Sequence, residues 1–372
     1  MSNDSGKLYM SIYNDLLFKI KSGHYKPGDK LPTEPELAEQ YNVSRVTVGH
    51  ALKMLEGINL IYRIKKSGTF INGKMSSKST QKIIPIILPY EENLNIGIVE
   101  GAQNYGLLNN CFTPLFNSCN SAVKEREILT EILKMHVDGL ICYPCSIYDN
   151  LDLFSQYKQL GIPLVLLDHS IDGFKAPLVC CDNEKGTRMV MDTLISRGHK
   201  NIAYFAVSAQ MISSERERLC GYLESLIHHS LPVRNDFIVH LQQHQPYDND
   251  LSLSKQREIF MRSVETYIEK LLRSTDRPTA FCCVNDVTAK TMKLMLSQPG
   301  NEPLSDIAVT GFDNISNDGA FITVQQDFQA LGLTAVKTVL NMLNGITVPE
   351  RLHTAVKLID VKPDQESKAS PM

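Results

Sequence analysis

Three side chains with strong hydrogen-bonding groups stand close together near the N terminus. Ser44, Arg45 and Thr47 fall at the start of a predicted helix that runs to about Glu56. An arginine can chelate a guanine edge or a phosphate, and the hydroxyls and free N–H groups at a helix start suit phosphate oxygens. These residue types at this spacing predict binding to nucleic acid.

A second set of polar side chains is spread over the rest of the chain, close to the ends of short apolar runs. In open α/β sheets, ligands bind beyond the carboxyl ends of the strands. Sugar hydroxyls both donate and accept hydrogen bonds, so carboxylates, an amide, a guanidinium and an aromatic face make a suitable mixture. The residues that supply this mixture are Asp168, Arg218, Asn285, Asp313 and Tyr90. They predict a site for a small polar ligand of the sugar type.

Each residue of this second set also has a structural explanation. Asp182, at the end of another apolar run, suits a helix cap as readily as a ligand contact. Asn285 and Asp286 could cap a helix that starts near Val287, and Arg218 could bridge to a surface carboxylate. Both explanations stay open on the sequence.

The first group of residues belongs to a predicted helix-turn-helix over residues of about 34–53. Thr33 is the expected N-cap of its first helix, with Glu36 as the capping-box partner, and Ser44 caps the second helix. In such a motif the second helix enters the major groove by its N-terminal residues. The expected buried face of that helix consists of Val48, Ala51, Leu52 and Leu55.

A predicted hairpin with a basic turn follows these helices. Its strands cover residues 58–62 and 69–71, and its turn contains Lys65, Lys66 and Gly68. Such a wing can lie along the minor groove, where the two lysines would meet phosphates.

The second group of residues requires a larger support, which begins after an expected linker at 73–82. From Ile83 onward, apolar runs alternate with amphipathic helical stretches, a pattern that predicts parallel strands with crossover helices. The predicted fold class is therefore α/β. A winged helix-turn-helix domain covers residues 1–72, and doubly wound parallel sheets cover residues 83–372.

Composition and charge narrow the class of protein. The chain has 372 residues, of which 43% are hydrophobic and 21% charged, as in ordinary soluble proteins. No apolar run approaches the roughly 18 residues that span a membrane, and the first residues lack signal-peptide order, so we expect a cytoplasmic protein. Residues 1–75 hold 11 Lys/Arg against 7 Asp/Glu, and the remainder holds 27 against 34. A basic head on an acidic body fits a phosphate-binding module attached to a sensor, although chance could give the same balance.

Motifs of metal, cofactor and catalytic sites are missing from the sequence. It contains no phosphate-binding G-x-x-x-x-G-K-[ST], no G-x-G-x-x-G after a strand, no G-x-S-x-G and no H-E-x-x-H. Cys142 and Cys145 form a single C-x-x-C without a second pair at zinc spacing, so buried thiols are the simpler interpretation, although a redox or zinc role stays open. We therefore expect no enzyme activity, no catalytic residues, no metal and no cofactor.

The segment PGDKLPTEPELAEQYNVSRVTVGHALKMLEG, followed by SGTFI, resembles the winged-helix head of the GntR family over about 65 residues. The resemblance implies that Arg45, Thr47 and the wing glycine Gly68 contact DNA. Together with the chemistry above, the candidate DNA contacts are Thr33, Ser44, Arg45, Thr47, Lys65, Lys66 and Gly68. Gly49 stands where the family commonly has arginine, which implies a missing contact, so an operator sequence cannot be carried over.

Residues 83–372 resemble the effector domain of the LacI/GalR regulators, which is akin to periplasmic sugar-binding proteins. The resemblance rests on motifs in the expected order, among them VDGLICYP, GIPLVLLD, SRGHKNIAYF, RPTAFCCVND and SDIAVTGFDN. It implies two α/β subdomains that close on a ligand. The implied effector contacts are Tyr90, Glu91, Asp168, Arg218, Asn285, Asp313 and Gln326.

The same resemblance implies that the chain crosses between the subdomains three times. The crossings are expected near Cys181-Asp182, Val324-Gln325 and Val348-Pro349. The first subdomain would then comprise about 83–181 and 325–348, and the second about 182–324 and 349–372.

The two resemblances together predict a homodimeric repressor of carbohydrate-utilisation genes. It would bind double-stranded operator DNA and be released by a sugar effector, foremost L-arabinose or a related pentose. The alternatives are a transcriptional activator, a regulator that senses a hexose, an oligosaccharide or a nucleobase, and a ligand-binding protein without DNA function.

Overall fold

A computed structural model describes residues 4–21, 24–57, 60–64, 67–72, 81–89, 93–207, 211–241, 253–315 and 319–360. The chain divides into two compact units, which we call the head and the body. The head is Met1–Gln81 with Leu108–Asn110, and the body is Lys82–Leu107 with Cys111–Met372. Within the described ranges, no helix is long and apolar enough to cross a membrane.

The head is a three-helix unit with a hairpin, as predicted. Its elements are α1 (Asp4–Lys21), α2 (Glu34–Gln40), α3 (Arg45–Gly57), β1 (Ile61–Ile64) and β2 (Gly68–Ile71). The two strands are antiparallel, with Ile61 opposite Ile71. The predicted apolar face of α3 is confirmed, because Val48, Ala51, Leu52 and Leu55 are all buried.

Local side-chain caps fix where the two helices of the helix-turn-helix begin. The Thr33 hydroxyl accepts the Glu36 backbone N–H, and the Glu36 carboxylate accepts the Thr33 N–H at 2.6 Å, which confirms the predicted capping box. The Ser44 hydroxyl accepts the Thr47 N–H at 3.2 Å. These caps satisfy N–H groups that lack helical partners. The Thr33 cap therefore sets the start of α2, and the Ser44 cap sets the start of α3.

The first half of the body is built around a parallel sheet. Its elements are β3 (Lys82–Ile83), β4 (Ile86–Leu88), α4 (Asn93–Leu108), β5 (Cys111–Phe112), β6 (Leu115–Asn117), α5 (Ala122–Lys134), β7 (Leu140–Cys142), α6 (Leu151–Gln159), β8 (Leu164–Leu167) and β9 (Leu178–Cys181). The predicted run from Ile83 to Leu88 is therefore two strands separated by Ile84 and Pro85. Among the described residues, this sheet has six strands in the order β15, β9, β8, β7, β4, β6, with β15 defined below.

The second half of the body contains a second parallel sheet. Its elements are α7 (Asn183–Ser196), β10 (Ile202–Ala206), α8 (Ser213–His228), β11 (Ile238–His240), α9 (Leu253–Leu272), β12 (Ala280–Cys283), α10 (Asp286–Leu296) and β13 (Ala308–Thr310). In the part of the chain that the structure describes, the order of its four strands is β11, β10, β12, β13. The predicted architecture of two α/β subdomains is confirmed.

Four elements complete the body: β14 (Thr323–Gln326), α11 (Phe328–Leu343), β15 (Arg351–Thr354) and β16 (Val356–Ile359). β14 and β16 pair antiparallel where the chain passes between the subdomains. β15 lies parallel to β9 in the first sheet, so the third crossing falls at Ala355 and not near Val348-Pro349. The expected crossing was misplaced because β15, with the sequence Arg-Leu-His-Thr, lacks the apolar run that marked the other strands.

Small residues bring α4 and α11 unusually close together. A Cβ built on Gly101 would lie 1.9 Å from the Gln329 carbonyl oxygen, and one on Gly332 would lie 1.9 Å from the Ile98 carbonyl oxygen. No larger residue fits at either position without moving the backbone. This contact fixes the start of α11, and with it Phe328, next to the strand β14.

Candidate functional site

The N-terminal end of α3 presents the first group of predicted residues to solvent. Ser44 and Arg45 are exposed, and the Thr47 hydroxyl lies 2.8 Å from that of Ser44. No ion pair joins Arg45 to another described residue, so its guanidinium is available to a ligand. The structure thus brings together Ser44, Arg45 and Thr47 on one exposed helix end, which is the arrangement that groove binding requires.

The wing and Thr33 have structural tasks of their own. Gly68 has a φ of +123°, and a Cβ there would lie 2.5 Å from the Cε atom of Lys30, so the turn requires glycine. The Thr33 hydroxyl is engaged by its cap and by the Glu36 carboxylate at 2.8 Å. Lys65 and Lys66 lie outside the described residues. DNA contacts by these four residues stay predictions.

Arg218 on α8 forms the centre of the second candidate site. Its side chain is 7% exposed. It donates to the Asn183 side-chain oxygen at 2.9 Å, to the Val284 carbonyl at 2.7 Å and to Asp313 at 3.3 Å. The guanidinium carbon also stands 3.8 Å from the centre of the Phe312 ring. The alternative of a bridge to a surface carboxylate is therefore wrong, because every one of these partners belongs to the interior.

Asp313 connects this arginine to the strands that join the subdomains. Its carboxylate accepts a hydrogen bond from the Gln326 side chain at 2.7 Å, and its backbone N–H donates to the Val324 carbonyl. Burial raises the pKa of Asp313 to about 7, although Arg218 favours the charged form. Its φ of +108° lies where a non-glycine residue is strained, and such strain concentrates at functional sites.

Asp168 approaches the same region from the other subdomain. It follows β8 with a φ of +66° and accepts a hydrogen bond from Ser214 of α8 at 3.0 Å. A second hydrogen bond joins the same two segments, because the Ser170 N–H donates to the Ser213 hydroxyl at 3.0 Å. Burial alone would raise the pKa of Asp168, but the hydrogen bond with His169 and the nearby charge of Arg218 hold it below its usual value. Direct hydrogen bonds therefore join the two subdomains beside Arg218.

Sequence reasoning missed three residues of this cleft. Ser214 and Glu215 lie one helical turn before Arg218, and His169 follows Asp168 with its Nδ1 atom 3.2 Å from the carboxylate. Burial raises the pKa of Glu215 to about 7. The spacing of three and four residues to Arg218 places Ser214 and Glu215 on the same side of α8, a signal that the sequence contained.

Asn285, a predicted ligand residue, and Asp182, for which a cap and a ligand contact were equally open, both serve as helix caps. The Asn285 side chain accepts the Thr288 N–H at 2.9 Å and begins α10. Asp182 accepts the Lys185 N–H at 3.1 Å and begins α7. The capping explanations are thus confirmed for both, and an effector contact by Asn285 stays a prediction. Asp286, next to this cap, is buried and accepts the Thr323 hydroxyl at 2.6 Å.

A cavity of about 490 Å³ lies beside the crossing strands. Gln326 is one of its lining residues, and the Gln326 side chain donates a hydrogen bond to Asp313. Phe328 also lines it and packs against the core of the first subdomain. Tyr90 and Glu91 lie outside the described residues. The other lining residues are Gly97, Gln325, Asp327, Gln329, Ala355, Val356 and Lys357.

The C-x-x-C segment is part of the interior of the first subdomain. Cys142 and Cys145 are buried free thiols, and burial raises the pKa of both. The buried carboxylate of Glu125 accepts the Cys145 backbone N–H at 2.8 Å and the Asn150 amide at 2.9 Å. Among the described residues, no three histidine, cysteine or acidic side chains gather at metal-binding distances.

Family models match both parts of the chain. Residues 8–71 match the model of bacterial regulatory proteins of the gntR family, and residues 191–360 match that of the periplasmic-binding-protein-like domain. The chain therefore combines a GntR-type DNA-binding head with a periplasmic-binding-protein-like body, as transcriptional regulators of the LacI/GntR type do.

Individual relatives fall into the same class. The chain is 28% identical to the arabinose metabolism transcriptional repressor of Geobacillus stearothermophilus, over 91% of this chain and 92% of that protein. It is 23% identical to the repressor of the same name from Halalkalibacterium halodurans, over 90% and 89% of the two chains. These relatives are transcriptional regulators, which confirms the prediction that the chain is not an enzyme.

Solved structures share the fold of the body. A LacI-family regulator from Enterococcus faecium with bound ribose matches with a TM-score of 0.58 at 21% identity, over 75% of this chain and 97% of that one. A complex of the regulator CelR with cellobiose matches with a TM-score of 0.61 at 18% identity, over 88% and 98%.

Proposed function

We propose that this protein represses carbohydrate-utilisation genes and is released from its operator by a neutral sugar, foremost L-arabinose. The observation that carries the proposal is the cleft in which Arg218 and Asp313 of one subdomain meet Asp168 of the other. A ligand that replaces the direct Asp168–Ser214 hydrogen bond would change how the subdomains meet. Ligand binding and DNA affinity would be coupled by about 1–3 kcal/mol, as is usual for such switches.

The charges of the cleft favour a neutral ligand. Asp168 is held in its charged form beside Arg218, and the Arg218 guanidinium already donates to Asn183, Val284 and Asp313, so an added phosphate or carboxylate would meet the Asp168 charge and find the cation engaged. Hydroxyl groups can instead donate to the carboxylates and accept from the guanidinium. The names of the two arabinose repressors support a pentose.

The proposed effector contacts are Asp168, Arg218, Asn285, Asp313 and Gln326, with Tyr90 and Glu91, which lie outside the described residues. The proposed DNA contacts are Thr33, Ser44, Arg45, Thr47, Lys65, Lys66 and Gly68. A homodimer is part of the proposal, because two heads are needed to read a two-fold symmetric operator. Val287 and Leu294 of α10 support it, since both apolar side chains are more than half exposed, at 56% and 51%, and they lie two turns apart.

A gel-shift experiment tests the proposal. The probe is a duplex from upstream of the protein's own gene, titrated at fixed salt with and without L-arabinose, other aldopentoses and hexoses. We expect L-arabinose to raise the Kd of the duplex by about 5- to 150-fold. Release by another sugar alone would overturn the assignment of arabinose. Absence of any salt-sensitive duplex preference would overturn the regulator itself.

Arg45→Ala provides the matched variant for the DNA side. We expect it to weaken duplex binding by about 5- to 150-fold, because a bidentate contact from arginine to a guanine contributes about 1–3 kcal/mol. Its exposed side chain makes no ion pair with a described residue, so calorimetric titration with the sugar should match the parent protein. An unchanged duplex affinity would remove Arg45 from the interface.

A further inference from the structure

The exposed face of α3 carries an apolar side chain in its first turn. Val46 is 68% exposed and points away from the buried face that Val48, Ala51, Leu52 and Leu55 form. The side chains that flank it on the same face are polar: Arg45 before it and His50 and Lys53 one and two turns further on. An exposed valine among these polar side chains contributes nothing to the core of the head.

The same face carries a glycine that the head itself does not require. A Cβ built on Gly49 would meet no heavy atom within 4 Å, and its backbone does not adopt the left-handed conformation that favours glycine. A glycine inside a helix is less favourable than alanine. Neither internal packing nor turn geometry therefore explains Gly49, whereas close approach of an external partner does.

We propose that Val46 and the gap at Gly49 form a shallow apolar notch that receives the 5-methyl group of a thymine in the major groove. Thymine alone among the four bases presents a methyl group there, and apolar side chains contact it. The β-branched valine holds its two methyl groups in a fixed orientation. The missing side chain at Gly49 allows the base edge to come close to the helix. This inference rests on the proposed DNA-binding function and adds the base that the helix reads.

The test compares thymine with deoxyuridine, which lacks only that methyl group. A preferred duplex is first selected from a random pool with the full-length protein, and each thymine is then replaced singly by deoxyuridine. We expect one position in each half-site to bind about fourfold more weakly with deoxyuridine, the effect of burying one methyl-sized group. Val46→Ala should bind both duplexes equally. Val123→Ala, at a comparably exposed valine of α5 in the body, should keep the fourfold preference.

Gly49→Ala separates the notch from helix stability. We expect this variant to raise the melting temperature of the protein and yet to weaken binding to the thymine duplex, since the added methyl group fills the notch. The inference is overturned if no thymine position responds to deoxyuridine, or if Val46→Ala keeps the parent's preference. A parent protein that prefers no duplex overturns the DNA-binding function instead, so the two failures differ.

Discussion

The head and the body position their functional side chains in opposite ways. Ser44, Arg45 and Thr47 lie within four residues, on an exposed helix end that local caps define. Asp168, Arg218 and Asp313 come from distant parts of the chain and are nearly inaccessible to solvent. The polar groups of the head therefore remain solvated, whereas the ionisable groups of the cleft in the body are buried.

This difference determines what a substitution can change. An exposed side chain at the end of α3 contributes to binding and little to folding, because its removal leaves no buried partner behind. A buried side chain such as Arg218 does both, since Asn183, Val284 and Asp313 all depend on it for hydrogen bonds. Binding and stability should thus be separable in the head and inseparable in the cleft.

Arg218→Met should produce the largest effect. The variant leaves the Asp313 carboxyl buried without its cation. Removing one partner of a buried ion pair lowers the free energy of unfolding by about 3–5 kcal/mol. It should also abolish the response of the duplex complex to sugar. Denaturant unfolding of the full chain measures the first effect, and the gel-shift titration measures the second.

The matched control is Arg126→Met on α5. Arg126 pairs with Asp152 at 2.5 Å, but its side chain is 50% exposed, so solvent screens the pair and its loss should lower stability far less than the loss of Arg218. If the two variants lose equal stability, the contrast between buried and exposed charges in this protein is wrong.

The cleft should also be more sensitive to pH than the head. Burial raises the pKa of Glu215 from 4.5 to about 7, so the folded protein favours the protonated carboxyl. Its contribution to stability is then fully present below about 4.5 and is lost as the pH rises through about 7. Glu215→Gln cannot ionise, and it should remove roughly 1–3 kcal/mol of pH dependence across that window.

Unfolding midpoints measured at intervals between pH 4.5 and 7.5 test this expectation. Glu258→Gln, at a mostly exposed position of α9 with an Arg262 partner, serves as the control and should leave the slope as it is in the parent. A slope that Glu215→Gln leaves unchanged would mean that Glu215 remains well solvated.

Local features of the head could be read from the sequence, because each depends on residues a few positions apart. The capping box of Thr33 and Glu36 and the buried face of α3 are such features. The Asp313–Gln326 hydrogen bond and the bonds of Arg218 could not be read in this way, since they depend on how separate elements pack. Family resemblance located these cleft residues, but gave neither their partners nor their burial.

The misplaced third crossing has a comparable cause. β15 lies at the edge of its sheet and carries arginine and histidine on exposed positions, so its sequence lacks the apolar run of a central strand. The positions of Ser214 and Glu215 on the same side of α8 as Arg218 could be predicted from their spacing of four and three residues. Their position in the cleft could not, because Asp168, which accepts a hydrogen bond from Ser214, belongs to the other subdomain.

The smallest predicted effect tests whether a cap in the head is also a DNA contact. Thr33→Ala removes the hydroxyl that accepts the Glu36 N–H and should cost the head about 1 kcal/mol, seen as faster amide exchange in α2. Sugar binding in the body should not change, and Thr33→Ser should restore the cap. Glu36→Ala removes the reciprocal half of the same capping box. If both alanine variants loosen α2 but Thr33→Ala alone weakens duplex binding, the hydroxyl also contacts a phosphate. Equal losses of duplex affinity would limit Thr33 to positioning the helix.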